Sequence, residues 1–144
     1  MIEWDLPNVH ALEVVVAAQA IDVFGHVNNT EYLRYLEQVA WRHSGVLGLG
    51  WDEYQRLNRC MVARHTEVDY LAPAYEGEKL QVGTWIVEND GRISITRRYQ
   101  IVRESDGRTL LRGRTRWVCV ALDSGKPRRM PPEFLSGYQI TADE

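Results

Sequence analysis

Between positions 28 and 46 apolar side chains return at three- and four-residue intervals, as Leu33, Leu36, Val39, Ala40 and Val46. That is the period of one face of an α-helix. Asn28 has the side chain of an N-cap, and Glu31, three positions on, completes a capping box. Gly45 and Gly48 mark the end of the helix. Ahead of it, residues 11–21 (ALEVVVAAQAI) are apolar and β-branched enough for a largely buried strand, and residues 22–28 form a turn. Residues 51–57 suit a second, short helix. From Cys60 onward the period changes to that of long strands, over 61–71, 80–87, 93–102 and 109–122. Pro73 ends the first of these, because proline cannot donate to a ladder. Asn89-Asp90-Gly91 and Asp106-Gly107 are turn signals between the later ones. Ile93, Ile95, Tyr99 and Ile101 share one strand face, interrupted only by Arg97.

One long helix followed by consecutive antiparallel strands predicts an α+β class, with the sheet wrapped on the helix. At 144 residues the chain is expected to be a single domain, 1–144, large enough for a core without disulfides or metals. No apolar run approaches the roughly 20 residues of a membrane-spanning helix. The first residues lack the basic and then apolar regions of a signal peptide. Cys60 and Cys119 stand alone inside strand-like runs, without metal-ligand spacing, and are expected to be reduced core thiols of a cytoplasmic protein. The net charge of −3 argues against general nucleic-acid binding. Of the 17 basic residues 15 are arginine, many of them in the second half, which suits cross-strand pairing with glutamates on a solvated face.

The turn before the helix carries the candidate chemistry. Asp22-Val-Phe-Gly25-His26-Val27-Asn28-Asn29 puts a carboxylate, a flexible glycine and a histidine just ahead of a helix start. The first turn of a helix leaves backbone N–H groups without intrahelical partners, at the electropositive end of the macrodipole. A carbonyl oxygen gaining negative charge is stabilised at such a place, and a nearby carboxylate can attack or activate water. This is the outline of an acyl-transfer site. From the residues alone, Asp22 equally closes an Asx-turn before a glycine of positive φ, and His26 equally serves as a structural histidine.

The chain resembles the hotdog-fold acyl-CoA thioesterases of the 4-hydroxybenzoyl-CoA thioesterase type. The likeness rests on the Asp22 to Asn29 motif, on Val68-Asp69-Tyr70-Leu71-Ala72-Pro73-Ala74 followed by Gly77-Glu78-Lys79-Leu80, and on Lys126-Pro127-Arg128-Arg129-Met130-Pro131. It covers roughly residues 10 to 135 and implies a hotdog fold, a long central helix wrapped by an antiparallel sheet. It implies hydrolysis of an acyl-CoA to free acid and CoA, with no cofactor and no metal. Asp22 would be the nucleophile or general base, and the backbone N–H of Asn29 the group that polarises the thioester carbonyl. His26 and Val27 would assist through amides or the imidazole, and Gly25 would be among the substrate-binding residues. Asn29 departs from family members that carry histidine or tyrosine there, so its role falls to the amide. For the CoA phosphates the resemblance points to Arg92, Lys126, Arg128 and Arg129, with Arg64 as a weaker candidate. Tyr32, Tyr35, Leu36, Trp41 and Trp51 are candidates to line the acyl chamber. A homodimer joined edge to edge, pairing further into a homotetramer in some members, is the implied assembly. The alternatives are a thioesterase acting on acyl groups of acyl carrier protein and a non-catalytic acyl-CoA-binding protein of the same fold. A dehydratase of this fold is disfavoured, since its histidine-proline signature is missing.

Overall fold

The computed structural model describes residues 2–144. Strands β1 (His10–Val15), β2 (Arg59–Tyr70), β3 (Lys79–Asn89), β4 (Ser94–Arg103) and β5 (Thr109–Ala121) form one antiparallel sheet in the order β1-β3-β4-β5-β2. Helix α1 (Asn29–Val46) packs against one face, while α2 (Trp51–Leu57) and α3 (Pro132–Gly137) gather around its C-terminal half. Among the described residues no helix is long and apolar enough to cross a membrane.

The expected elements form, with three corrections. The apolar run 11–21 is not one strand. β1 ends at Val15 opposite Lys79, where β3 begins; Val16 still bonds to Glu78 O and Gly77 N–H, each at 2.9 Å, and Gly77 (φ +81°) then turns the chain away from residues 17–21. Ala18–Ala20 closes instead into a 3-10 turn, and Ile21 makes an isolated bridge to Val27. The second correction concerns the cap. Asn28 does cap α1, but its side chain accepts from the Thr30 amide and hydroxyl, each at 2.9 Å. The Asn28 amide is held by Ala20 O at 2.9 Å, so Glu31 cannot close a capping box and pairs with Arg34 instead. The third concerns the buried stripe of α1, which consists of Tyr32, Tyr35, Leu36, Val39, Ala40, His43 and Ser44. Leu33, in the first turns of α1, and Val46, its last residue, lie 43% and 70% exposed although a step of about 100° per residue sets both within the angular range of that stripe.

Both halves of α1 rest on apolar clusters. Val27, Tyr32, Leu36 and Val39 meet Leu80, Val82, Tyr99 and Ile101 below the N-terminal half. Tyr54, Met61, Ile86, Ile95, Phe134 and Tyr138 fill the space towards the other end. The opposite face of the sheet is covered too. Trp4, Leu6 and Val9 pack there on Trp85 and Val87, and Gly83 permits the approach, since a Cβ would stand 2.6 Å from the Trp4 ring. The arginine-rich strands clamp these terminal segments. Arg112 and Arg98 hold Asp5 at 2.7 and 3.3 Å, and Arg114 holds Glu144 at 2.9 Å. The cross-strand pairing expected with glutamates is thus mainly pairing to the chain termini, with Arg114 to Glu88 (3.1 Å) the strand-to-strand example.

Candidate active site

The turn from Ile21 to Val27 is built by local hydrogen bonds. Asp22 N–H donates to His26 O (3.0 Å), Gly25 N–H donates to Asp22 O (3.0 Å), and the Asp22 carboxylate accepts from Phe24 N–H at 2.9 Å. Gly25 sits at φ +84°, a conformation that side chains with a Cβ rarely adopt. Val23 and Phe24 project from the tip almost bare, and the His26 ring lies between Phe24 and Tyr75 at centroid distances of 6.1 and 6.5 Å. Val27 is buried and its amide is taken by Ala74 O at 2.9 Å, which leaves that N–H no capacity for a substrate.

Asn29 is the first residue of α1, and its amide is one of the donors a helix cannot use internally. A shallow pocket of about 260 Å³ opens here, lined by His26, Asn29, Tyr32, Tyr70 and Pro73 among others. Tyr70 Oη donates to Asn29 O (3.3 Å), and Tyr32 Oη accepts from Ala74 N–H (3.0 Å). Burial pushes the Tyr32 hydroxyl above its ordinary pKa and keeps it neutral. Asp22 does not line this pocket, so within one chain the carboxylate and the free amide share a loop rather than a cavity.

The proposed phosphate-binding residues fall into two places. Arg92 O accepts from Met130 N–H (2.8 Å), which sets Arg92 beside the segment carrying Lys126, Arg128 and Arg129, all exposed. This group stands where β5 ends, while the pocket at Asn29 stands where β5 begins, beside the Leu71 N–H to Leu110 O contact. The 13 residues of β5 separate them by roughly 40 Å at strand rise. One chain therefore does not bring them together. Arg64 is exposed and occupies a bulge in β2, where the register shifts between Ala63 and His65.

A second, larger cavity of about 320 Å³ lies beneath the C-terminal half of α1, lined by Trp41, Ser44, Tyr54, Met61, Arg97 and Tyr138 among others. Of the expected chamber residues only Trp41 reaches it. Tyr32 lines the smaller pocket, Tyr35 and Leu36 belong to the core, and Trp51 is half exposed beside the glycine-rich turn after α1. Ser44, Tyr54, Arg97 and Tyr138 were not indicated by spacing; the one signal was Arg97 interrupting an apolar strand face.

Residues 16–137 match the sequence pattern of a family described as the thioesterase-like superfamily. This chain belongs to that superfamily. Its fold is the hotdog fold of such thioesterases. The long-chain acyl-CoA thioesterase FadM of Escherichia coli (strain K12) is 26% identical over 126 residues, spanning 85% of this chain and 91% of FadM. A 1,4-dihydroxy-2-naphthoyl-CoA thioesterase from Synechocystis superposes with a TM-score of 0.81 at 20% identity, covering 91% of this chain and 96% of that one. A Staphylococcus aureus protein solved in complex with CoA superposes with a TM-score of 0.82 at 18% identity, covering 95% and 83%. At these identities the two structures speak to the fold alone. Asp22 and Asn29 both lie within the matched stretch.

Proposed function

We propose that this protein is an acyl-CoA thioesterase with Asp22 as its reacting carboxylate and the Asn29 amide as its oxyanion donor. The observation that carries the reading is that unclaimed N–H, opening on a pocket at the start of α1 and joined to Asp22 by a short, hydrogen-bonded loop. Negative charge developing on the thioester oxygen gains from an amide at the positive end of a helix. Asp22 either attacks the carbonyl carbon, expelling the thiolate and leaving a mixed anhydride that water opens, or takes a proton from the water that attacks. Both routes yield a free acid and CoA-SH. The His26 imidazole, at the rim of the pocket, is placed to supply a proton to the departing sulfur.

The working unit in this reading is a homodimer. β2 is an edge strand with most of its residues exposed, and Trp41, Val62 and Tyr70 lie more than 40% exposed nearby. Such an edge invites pairing with a second copy. Antiparallel pairing of two β2 strands sets the Arg59 end of one beside the Tyr70 end of the other. That brings the partner subunit's arginine-rich segment towards the Asn29 pocket, where CoA phosphates need it. Two free thiols, Cys60 and Cys119, the latter raised to about 11 by burial, are consistent with a reducing, cytoplasmic setting.

Thiol release from a panel of acyl-CoAs, with wild type and Asp22→Asn side by side, tests the reading. The amide oxygen of asparagine can still accept from Phe24 N–H, so the variant should keep its loop and its stability. Its kcat should fall at least about a hundredfold, the range expected for losing a positioned nucleophile or base. Undiminished turnover would remove Asp22 from the mechanism, and no release by the wild type from any acyl-CoA would move the substrate to acyl carrier protein or make this a binding protein.

A further inference from the structure

Arg97 is 2% exposed and, among the described residues, meets no carboxylate. Its Nη1 donates to His43 Nδ1 (2.8 Å), and its Nη2 donates to Ser44 Oγ (3.2 Å) and Ala40 O (3.4 Å); the guanidinium carbon lies 5.9 Å from the centre of the Tyr138 ring. Every one of these partners is neutral. His43 is kept uncharged by burial, with the Arg97 and His10 charges adding to the effect, and its pKa falls to about 3. Burial lowers the pKa of Arg97 as well, yet an arginine stays protonated in proteins. Arg103, on the same strand, shows the ordinary solution for a buried guanidinium. It pairs with Glu78 at 2.8 Å and Asp106 at 2.9 Å. A buried ion left without a counter-charge is disfavoured.

The surroundings are also short of acceptors. Three of the five N–H groups of Arg97 are used in the bonds above. Ser44 Oγ, which accepts from Arg97, shares a hydrogen bond with Tyr138 Oη (2.8 Å), which shares another with Tyr54 Oη (2.5 Å). Three hydroxyls joined by two bonds leave one hydroxyl hydrogen over. These groups line one 320 Å³ cavity whose other walls include Trp41, Met61, Ile95 and Trp117, and whose one carboxylate, Glu37, sits on the exposed part of α1. The cavity thus offers apolar walls, a fixed cation and spare donors.

We propose that this cavity binds an acyl group bearing a carboxylate distal to the thioester, with Arg97 as the partner of that carboxylate. The proposal rests on the thioesterase reading and names the substrate class within it. Glu37, where the cavity begins along α1, lies eight residues from Asn29, or about 12 Å at helical rise. A carboxylate ion-paired and hydrogen-bonded to Arg97 supplies the missing charge, accepts the spare donors, and leaves its methylenes against Trp41, Ile95 and Trp117. A methyl-terminated chain of equal length leaves the guanidinium unpaired.

The test compares glutaryl-, adipyl-, suberyl- and sebacyl-CoA with pentanoyl-, hexanoyl-, octanoyl- and decanoyl-CoA. At one or more lengths the carboxylate-ended thioester should have the higher kcat/KM, by about tenfold to a hundredfold, the worth of a charged hydrogen-bonded contact. In Arg97→Met that ratio should collapse towards one. A wild type preferring the methyl-ended member at every length overturns the proposal, as does an Arg97→Met variant that keeps the wild-type ratio. A preference only for hydroxybenzoyl-CoA over benzoyl-CoA also overturns it, in favour of a phenol. Should Arg97→Met fail to fold, Tyr54→Phe removes one hydroxyl of the same chain and should narrow the ratio. Thermal melts with free adipate and with hexanoate, which need no turnover, separate the two readings. Stabilisation by adipate alone, in wild type and not in Arg97→Met, supports the carboxylate subsite even if no thioester is cleaved, in which case the thioesterase reading falls by itself. Absence of any adipate effect together with equal turnover of both series overturns the subsite and leaves the thioesterase.

Discussion

The two ends of α1 are built on opposite principles. At its N-terminus the Asp22 to Asn29 loop is shallow and half open, and most hydrogen bonds shaping it join residues a few positions apart, with Val27 N–H to Ala74 O and Tyr70 Oη to Asn29 O as its long-range ties. At its C-terminal half the Arg97 cavity joins residues from α1, α2, β2, β4 and β5 with Tyr138, just past α3, and these are up to 94 positions apart in hydrogen-bonded pairs, as in the Ser44 to Tyr138 contact. The first region holds near water the carboxylate proposed to react, and keeps its amide free. The second encloses a charge among neutral groups. A thioester needs both kinds of place. Chemistry requires an accessible carboxylate and water, while selection among acyl groups requires a site where a wrong terminus leaves a buried group unpaired.

If that contrast is right, damage to the two regions should differ in kind. The largest effect should come from Phe134→Ala beneath the cavity, where a fully buried ring packs on Tyr54 and Tyr138 at centroid distances of 5.1 and 5.5 Å. Chemical unfolding should show a loss of about 3–5 kcal/mol. A loss no larger than that of Asp22→Asn would mean the second region is not the stabilising one.

A smaller effect should appear on acidification. His43 has a folded pKa of about 3 against an ordinary 6.5, so below pH 6.5 the unfolded chain binds a proton that the folded chain does not. Stability conferred by the neutral imidazole is complete above that value and is lost as pH falls from there towards 3. The slope should be about 1.4 kcal/mol per pH unit for this group at pH values well below 6.5. His10, stacked on His43 at 4.7 Å, is shifted the same way by burial and by Arg42 and Arg97. Urea unfolding at pH 7.5 and pH 5, with wild type and His43→Gln, checks this: the variant should lose the smaller amount. Equal losses would place the acid sensitivity outside the cavity.

The mildest test concerns how the regions meet. Charge removal at Arg92 and Arg128 should raise KM for acyl-CoA severalfold and affect kcat less. If two chains share each site, mixing Asp22→Asn with Arg92→Ala/Arg128→Ala after subunit exchange should restore about a quarter of wild-type turnover at low substrate, because half the dimers hold one intact site of two. No restoration would put the phosphate contacts on the same chain as Asp22.

Much of this molecule was legible in sequence because its signals are local. The period of α1, the Asn28 cap, the Asp90 and Asp106 turns and the strand succession all follow from neighbours within a few residues. Asp90 illustrates this. Burial works against its charge, but amides of Ser94, Ile93 and Arg92 outweigh it and bring its pKa to about 2. The Asp22 to Asn29 loop was legible for the same reason, down to the N1 amide. What sequence missed required knowledge of which segments oppose one another. Residues 11–21 have strand composition throughout, but the chain opposite offers backbone partners only as far as Val16. Val27 stands in the motif, but Ala74 claims its amide.

By itself, then, the sequence determined the α+β class, the position of the helix, the turns and the loop that carries the proposed chemistry, since propensity and period act over one or two turns of chain. Tertiary structure alone decided that the interrupting Arg97 lies inside rather than at the surface, that Ser44, Tyr54 and Tyr138 meet it there, and that the terminal acids clamp the arginine face. Burial and counter-charge are properties of what surrounds a residue in space. For Arg97 those surroundings come from α1, α2 and the residue that follows α3 as well as its own strand, and no local pattern announces them.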